Sequence, residues 1–179
     1  MTPDGEDRQI RDESPAQPPT LAAACGLFCE ACSIYIASRE DPDRLALIAA
    51  DFGQTREDTY CEGCRAERRA LYCRSCKMSA CAAERGLAFC GDCPRYPCAE
   101  IEAFGREYPH RAHIHEDLQR ISDIGSEAWM EETRRRYACP ACGTINSAYD
   151  LSCRRCGREP ANTFVEEHRE AIVKRLARR

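Results

Sequence analysis

The sequence predicts a small, metal-stapled α+β fold that is rich in helices and cysteine knuckles and ends in a zinc ribbon β-hairpin followed by a terminal helix. Three observations predict this fold class. The chain of 179 residues contains 15 cysteines, several times ordinary usage. Many of them stand in Cys-x2-Cys pairs, the spacing with which short turns present thiolates to zinc. Between these pairs, apolar residues recur at helical spacing.

The chain is predicted to have four segments. Residues 1–20 are rich in proline and charge and poor in apolar residues, so we expect them to be disordered. Residues 21–137 form a cysteine-rich metal-binding domain, residues 138–160 the zinc ribbon, and residues 161–179 a basic amphipathic helix. Neither a secretory signal nor a membrane-spanning run is evident, which predicts a cytoplasmic protein. In that compartment disulfides are disfavoured, and cysteine pairs more often hold metal.

Helix signals alternate with the cysteine knuckles. The best-marked helix begins at Asp41, a good N-cap that precedes Pro42, and ends near Gly53. Further helices are predicted over residues 29–38, 80–85, 97–107 and 116–136, and the last of these has a break at Gly125. A final helix is predicted to begin after a cap at Asn162 or Thr163. The apolar face of the last helix is predicted to consist of Phe164, His168, Ala171, Ile172 and Leu176.

The clearest metal motif is CPACGTINSAYDLSCRRCG. Its two knuckles are Cys139 with Cys142 and Cys153 with Cys156, and a glycine follows each. A short β-hairpin that joins the knuckles would place four thiolates at tetrahedral corners, which zinc accepts. Iron in the same cage is the alternative.

The other eleven cysteines fall into three groups along the sequence. CEGCRAERRALYCRSC has two knuckles and predicts a second four-thiolate centre that consists of Cys61, Cys64, Cys73 and Cys76. The third group lies in CAAERGLAFCGDCPRYPC and consists of Cys81, Cys90, Cys93 and Cys98. These cysteines could form a third centre, or individual ones could bind a metal together with the first group. The opening motif CGLFCEAC contributes Cys25, Cys29 and Cys32. Zinc folds often interleave ligands, so neighbours in sequence need not share an ion.

The opening triad lacks a fourth thiolate. An open coordination position distinguishes a catalytic metal site from a closed structural one, and water, substrate or a histidine could fill it. The candidate histidines are His110, His113 and His115. The same Cys-x3-Cys-x2-Cys spacing is also that of a [4Fe–4S] cluster with one open iron, so a redox or radical role is the alternative.

The order of these motifs resembles the domain-of-unknown-function family 3795, small cysteine-rich proteins of bacteria and archaea. The resemblance runs over residues 21–98 through CGLFCEACSIYIA, CEGC, CRSC and CGDCPRYPC. The continuation GSEAWMEETRRRYACPACG is similar to family members with an appended ribbon. The resemblance implies metal binding by the matching cysteines and supplies neither an activity nor a catalytic residue.

Three functions are compatible with the sequence. The favoured one is a non-enzymatic zinc module that binds an unknown protein partner; an iron–sulfur protein is the second. The third is nucleic-acid binding, because residues 133–179 are basic although the whole chain has a net charge of −4. Its candidate residues are Arg134, Arg135, Arg136, Tyr137, Tyr149, Arg154, Arg155 and Arg158. No serine–histidine pairing or phosphate loop is visible, so the sequence leans against an enzyme but leaves the question open.

Overall fold

The computed structural model describes residues 20–178. Nine α-helices and three short 3-10 turns make up more than half of these residues. The helices are α1 (Ser33–Glu40), α2 (Pro42–Asp51), α3 (Arg56–Thr59), α4 (Leu71–Arg74), α5 (Lys77–Glu84), α6 (Ala99–Glu107), α7 (Ile114–Ile124), α8 (Ser126–Tyr137) and α9 (Thr163–Leu176). The 3-10 turns are Cys29–Ala31, Cys90–Asp92 and Pro109–Arg111. The segment predicted to be disordered lies outside the described residues, except for Thr20.

The predicted α+β class was wrong, because residues 20–178 contain no strand and no sheet. Extended pairing is limited to two isolated bridges there, between Ala22 and Phe28 and between Ala138 and Ile145. The predicted β-hairpin between the two C-terminal knuckles is therefore not part of this fold.

The C-terminal segment satisfies its backbone groups locally, which explains why no hairpin forms. The N–H of Cys139 donates to the carbonyl of Thr144 (2.8 Å), and the second knuckle repeats this bond. Between the knuckles, the N–H of Ser147 donates to the carboxylate of Asp150 (2.7 Å). Short polar side chains that bind nearby backbone in this way compete with the hydrogen bonds of a sheet.

Local signals predicted several helix ends correctly. The Asp41 carboxylate caps α2 by accepting from the N–H of Arg44 (2.9 Å). Gly125 separates α7 from α8 with φ of +82°, a conformation that suits glycine. Asn162 caps α9 by accepting from the N–H of Val165 (2.9 Å).

The single apolar face predicted for the last helix was wrong in part. The backbone of α9 is not helical at His168 (φ −115°, ψ 16°), so the helix kinks there. Phe164 and Ile172 are buried as predicted, but Val165 is buried as well and Ala171 is exposed. A kink changes which side chains share a face, and a regular helical period does not predict it.

The larger hydrophobic cluster joins the first cysteine motif to the end of the chain. The ring of Tyr137 stacks on Phe28 (6.4 Å between centroids) and on Phe164 (5.2 Å), while Trp129 meets Phe28 edge-on (6.0 Å). Each aromatic pair adds about 0.5–1.5 kcal/mol to the effect of area burial. Helices α8 and α9 therefore pack against the N-terminal motif. The four predicted segment boundaries stay predictions.

No helix within residues 20–178 combines the length and the apolar character needed to cross a membrane.

Candidate metal centres

Four cysteines at the C-terminal end, here called the knuckle pair, converge in space. They are Cys139, Cys142, Cys153 and Cys156, and their sulfurs all lie within 4.8 Å of one another. Sγ of Cys139 lies 3.6 Å from Sγ of Cys156, and the sulfurs of Cys142 and Cys153 are also 3.6 Å apart. Thiolates about 2.3 Å from a tetrahedral zinc would lie roughly 3.8 Å from each other. The group therefore has the size and donor set of a site for one ion.

The two knuckles repeat one backbone turn. The N–H of Gly143 donates to the carbonyl of Cys139 (2.8 Å), and the N–H of Gly157 donates to that of Cys153 (2.9 Å). Both glycines have positive φ, +72° and +74°, which strains a residue with a β-carbon. Each turn thus directs its two sulfurs in the same way, and this repetition makes the site compact.

Asn146 links the two knuckles and was not among the site residues predicted from the sequence. Its side chain is fully buried, and Nδ2 donates to the carbonyl of Thr144 (2.8 Å) and lies 3.6 Å from Sγ of Cys153. Its Oδ1 accepts from the N–H of Arg154 (3.0 Å). An amide donor beside a sulfur stabilises the thiolate and orients it. The only signal in the sequence is an asparagine between two knuckles.

The thiols of the knuckle pair differ in how readily they lose a proton. At Cys156 a backbone hydrogen bond lowers the pKa, but hydrogen bonds with the neighbouring thiols outweigh it and raise the pKa to about 11. Burial raises the pKa of Cys153, but N–H donors, among them the backbone of Cys156 and the side chain of Asn146, outweigh burial and lower it to about 6. Hydrogen bonds with the side chain and the backbone of Thr144 lower the pKa of Cys142. Because metal binds the thiolate, protons compete weakly for these two sulfurs.

The N-terminal cysteines are grouped differently from their order in the sequence. One group, here called the Cys29 cluster, consists of Cys29, Cys32, Cys61, Cys64 and Cys73. The N–H of Cys64 donates to Sγ of Cys29 (3.3 Å), and the thiol of Cys73 contacts those of Cys61 and Cys64. The cluster therefore combines members of the first and second predicted groups.

A second N-terminal group, here called the Cys90 cluster, surrounds the 3-10 turn Cys90–Asp92. Its members are Cys25, Cys76, Cys81, Cys90, Cys93 and Cys98. The N–H of Cys90 donates to the carbonyl of Ala24 (2.7 Å), which fixes this turn against the opening motif. Burial raises the pKa of Cys25 to about 12, and the nearby Cys76 and Cys90 add to the effect. The cysteines predicted for the second and third groups thus lie among those of the opening triad.

Residues 21–103 match the model of a family described as "Protein of unknown function (DUF3795)". The match confirms the resemblance of this segment to that family. It covers slightly less than half of the chain and includes both N-terminal clusters. The knuckle pair lies beyond it, so the family description does not extend to those four cysteines. No curated protein and no solved structure matches the chain.

The three histidines considered as extra ligands of the opening triad have separate partners. Nδ1 of His110 and the hydroxyl of Tyr149 lie 2.7 Å apart, and so do Nδ1 of His115 and the hydroxyl of Tyr96. The third ring, His113, is directed towards α9. These contacts give no support to a histidine as the fourth ligand of the triad. The assignment of the N-terminal cysteines as metal ligands stays a prediction.

Proposed function

We propose that this protein is a non-enzymatic zinc-binding protein with several cysteine-ligated centres, and that it acts by binding a partner protein. The observation that carries this proposal is the knuckle pair, whose four sulfurs lie within 4.8 Å of one another. Zinc accepts four thiolates in a closed tetrahedral site, and such sites stabilise a fold instead of presenting an open position for chemistry.

The spacing of the sulfurs supports a single ion in the knuckle pair. In a [4Fe–4S] cluster each cysteine binds a different iron atom, so the cysteine sulfurs lie further apart than around one shared ion. The distances of 3.6 Å between Cys139 and Cys156 and between Cys142 and Cys153 fit the shared ion. Zinc and iron both bind such a cage, and elemental analysis distinguishes them.

The Cys29 cluster supports a second closed centre. Its two Cys-x2-Cys turns, at residues 29–32 and 61–64, meet where the N–H of Cys64 donates to Cys29 Sγ (3.3 Å). The alternative [4Fe–4S] cluster needs Cys25, Cys29 and Cys32 to act together. Cys25 has Cys76 and Cys90 as neighbours, and it also lies near Cys64 of the Cys29 cluster. The choice between zinc and an iron–sulfur cluster at the triad therefore depends on elemental analysis.

Several basic residues considered for nucleic-acid binding are engaged inside the protein. Arg134 pairs with Glu30 (2.7 Å), and Arg154 pairs with Glu40 (2.8 Å). Tyr137 is buried in the hydrophobic core. Side chains that are paired or buried in this way offer fewer contacts to phosphates and bases, which weakens the nucleic-acid alternative at these three positions.

The surface of α2 offers apolar contacts to a partner. Leu47 is 70% exposed and Phe52 is 49% exposed, which is high for large apolar side chains. Exposed large apolar side chains are a common feature of protein-binding surfaces, and these two support a partner contact at α2 and its C-cap.

Elemental analysis of protein purified without oxygen tests the metal assignment. We expect zinc as the main metal, with more than one equivalent per chain, and a colourless protein. Cys153→Ser should remove about one equivalent, because a closed four-thiolate site depends on every ligand. Ser152→Ala changes the exposed residue next to it and should leave the zinc content unchanged.

Iron as the main metal, or a brown preparation with broad visible absorbance, would contradict the zinc assignment. Equal zinc content in Cys153→Ser and Ser152→Ala would contradict the knuckle pair as a centre.

A further inference from the structure

Two histidines and a glutamate converge where the start of α7 meets α9. Nε2 of His113 lies 2.9 Å from Nε2 of His168 and 3.9 Å from Oε2 of Glu167. The three ligand atoms all lie within 4.8 Å of one another. The group contains no cysteine and lies outside the segment that matches the family model.

The kink in α9 lies at one of these residues. Neighbouring side chains on a regular helix point about 100° apart, so Glu167 and His168 would not face a common point. At His168 the backbone leaves the helical conformation (φ −115°, ψ 16°), and both side chains reach towards His113. The departure from regular geometry thus coincides with the convergence of the three side chains.

The surroundings of the group suit a small cation at the surface. The ring of Phe164 packs against His113 (5.4 Å between centroids) and His168 (4.5 Å), and it holds both imidazoles from one side. The Glu167 side chain is half exposed, so the other side is open to solvent. The nearby cation, Arg136, is held by Asp117 at 2.9 and 3.1 Å, which offsets its charge.

We propose that His113, Glu167 and His168 form a metal site for a divalent first-row transition ion such as zinc or nickel. Two imidazole nitrogens and a carboxylate suit these ions, and three protein ligands leave a position for water. With nitrogens about 2.1 Å from the ion, a separation of 2.9 Å corresponds to an angle of roughly 90° at the metal. The proposal is independent of the cysteine centres.

Nuclear magnetic resonance of the imidazole rings tests the site. The chain contains only four histidines, so their ring nitrogens can be followed individually. Zinc is titrated into purified protein that retains its resident metals, so that added zinc meets filled cysteine centres. We expect the Nε2 signals of His113 and His168 to shift together and saturate, while those of His110 and His115 stay in place.

Three variants test the ligand set. Glu167→Gln changes an exposed side chain, so the variant should fold. We expect zinc affinity to fall at least tenfold, because loss of an outer-shell partner alone typically costs 10–100-fold. His168→Gln should abolish the paired shift. His115→Gln, whose ring contacts Tyr96 and Glu102, is the matched control and should bind zinc as the wild type does.

Two results would overturn the proposal. One is a titration in which the His113 and His168 signals do not move, which would leave these rings as a hydrogen-bonded pair. The other is unchanged zinc affinity in Glu167→Gln, which would remove the carboxylate from the site.

Discussion

The knuckle pair and the Cys29 cluster use the same Cys-x2-Cys spacing, but the chain brings their cysteine pairs together in different ways. The knuckle pair lies within residues 139–156, and its backbone hydrogen bonds are local. In the Cys29 cluster, three short helices separate the two turns. The second turn is anchored by the N–H of Cys61, which donates to Ser38 Oγ of α1 (2.9 Å). The first site thus depends on its own loops, and the second depends on the packing of α1 to α3.

The two groups also differ in protonation. Donors around the knuckle pair lower the pKa of Cys153 to about 6. In the Cys29 cluster, a hydrogen bond with Cys73 and burial raise the pKa of Cys61, and a hydrogen bond with Cys29 raises that of Cys64. Within the knuckle pair itself, hydrogen bonds with neighbouring thiols raise the pKa of Cys156 to about 11, so the two groups differ at particular cysteines and not throughout. An ion that enters either group displaces protons, and it meets the weakest competition from them at Cys153.

The largest expected effect is that of complete metal removal. Structural zinc contributes about 10–16 kcal/mol of apparent binding free energy in zinc-finger peptides at pH 7, more than the net stability of most small domains. With a chelator and a reductant present, we expect cooperative unfolding to be lost. Fluorescence of the single, buried tryptophan, Trp129, and circular dichroism measure the effect. An unchanged melting transition in metal-free protein would show that the hydrophobic core suffices.

The second effect, the metal content of cysteine variants, shows whether the N-terminal cysteines are grouped as in the structure or in the order of the sequence. Cys29→Ser and Cys64→Ser should each remove about one equivalent of metal, and the double variant should remove no more, because residues of one site act as a unit. If the cysteines were grouped in sequence order, the double variant would lose two equivalents. Cys29→Ser combined with Cys142→Ser is the control, since these residues belong to different groups and should lose two. Elemental analysis counts the metal in each variant.

Features set by neighbouring residues were predictable from the sequence. The N-cap at Asp41, the break at Gly125 and the convergence of the four knuckle-pair cysteines all follow from spacing over a few residues. The β-hairpin was predicted wrongly. Asn146, Ser147 and Asp150 form local hydrogen bonds with the backbone that a hairpin would pair, and cysteine spacing does not reveal such bonds.

Features set by distant contacts could not be read from the sequence. The contact of Cys64 with Cys29 joins residues 35 positions apart, and that of His113 with His168 spans 55 positions. Such pairs depend on how the helices pack, and spacing rules describe only the local turn. The kink that directs His168 towards His113 likewise has no signature in the helical period of α9.

A smaller effect is expected from Asn146, which supports the knuckle pair. Asn146→Ala removes the amide beside Cys153 Sγ and leaves the N–H of Arg154 without its acceptor. We expect zinc affinity to fall about 10–100-fold, as for other outer-shell partners. The unfolding free energy should fall by about 1–3 kcal/mol, the cost of an unsatisfied buried group. Competition with a chromophoric chelator measures the affinity.

Asn162→Ala is the matched control for this prediction. Asn162 is equally buried and caps α9, but its Nδ2 donates to the carbonyls of Asn146 and Ser147 and not to a sulfur. It should lower stability and leave zinc affinity within about twofold of the wild type, since it lies outside the ligand shell. If both variants lose affinity equally, Asn146 acts through the fold and not through Cys153.

The smallest expected effect is the pH dependence that the buried Asp117 adds to the unfolding free energy. Asp117 is buried beside Trp129 Nε1 (3.0 Å) and Arg136 (2.9 Å). Burial raises its pKa, and the arginine offsets this only in part. The folded state therefore holds the proton more tightly than the unfolded state, whose aspartate has a pKa of about 3.9. It follows that the contribution of Asp117 to the unfolding free energy falls as pH rises from its unfolded-state pKa to its higher folded-state pKa.

Asp117→Asn removes that contribution, so the difference in unfolding free energy between wild type and variant should change with pH only in this interval. The size of the change reports the size of the pKa shift, because each pKa unit corresponds to about 1.4 kcal/mol. Urea unfolding of both proteins at matched pH values measures it, and loss of metal in acid cancels because both retain every cysteine. A difference that keeps changing at neutral pH would mean that Asp117 is also coupled to His113, which is one of its electrostatic neighbours.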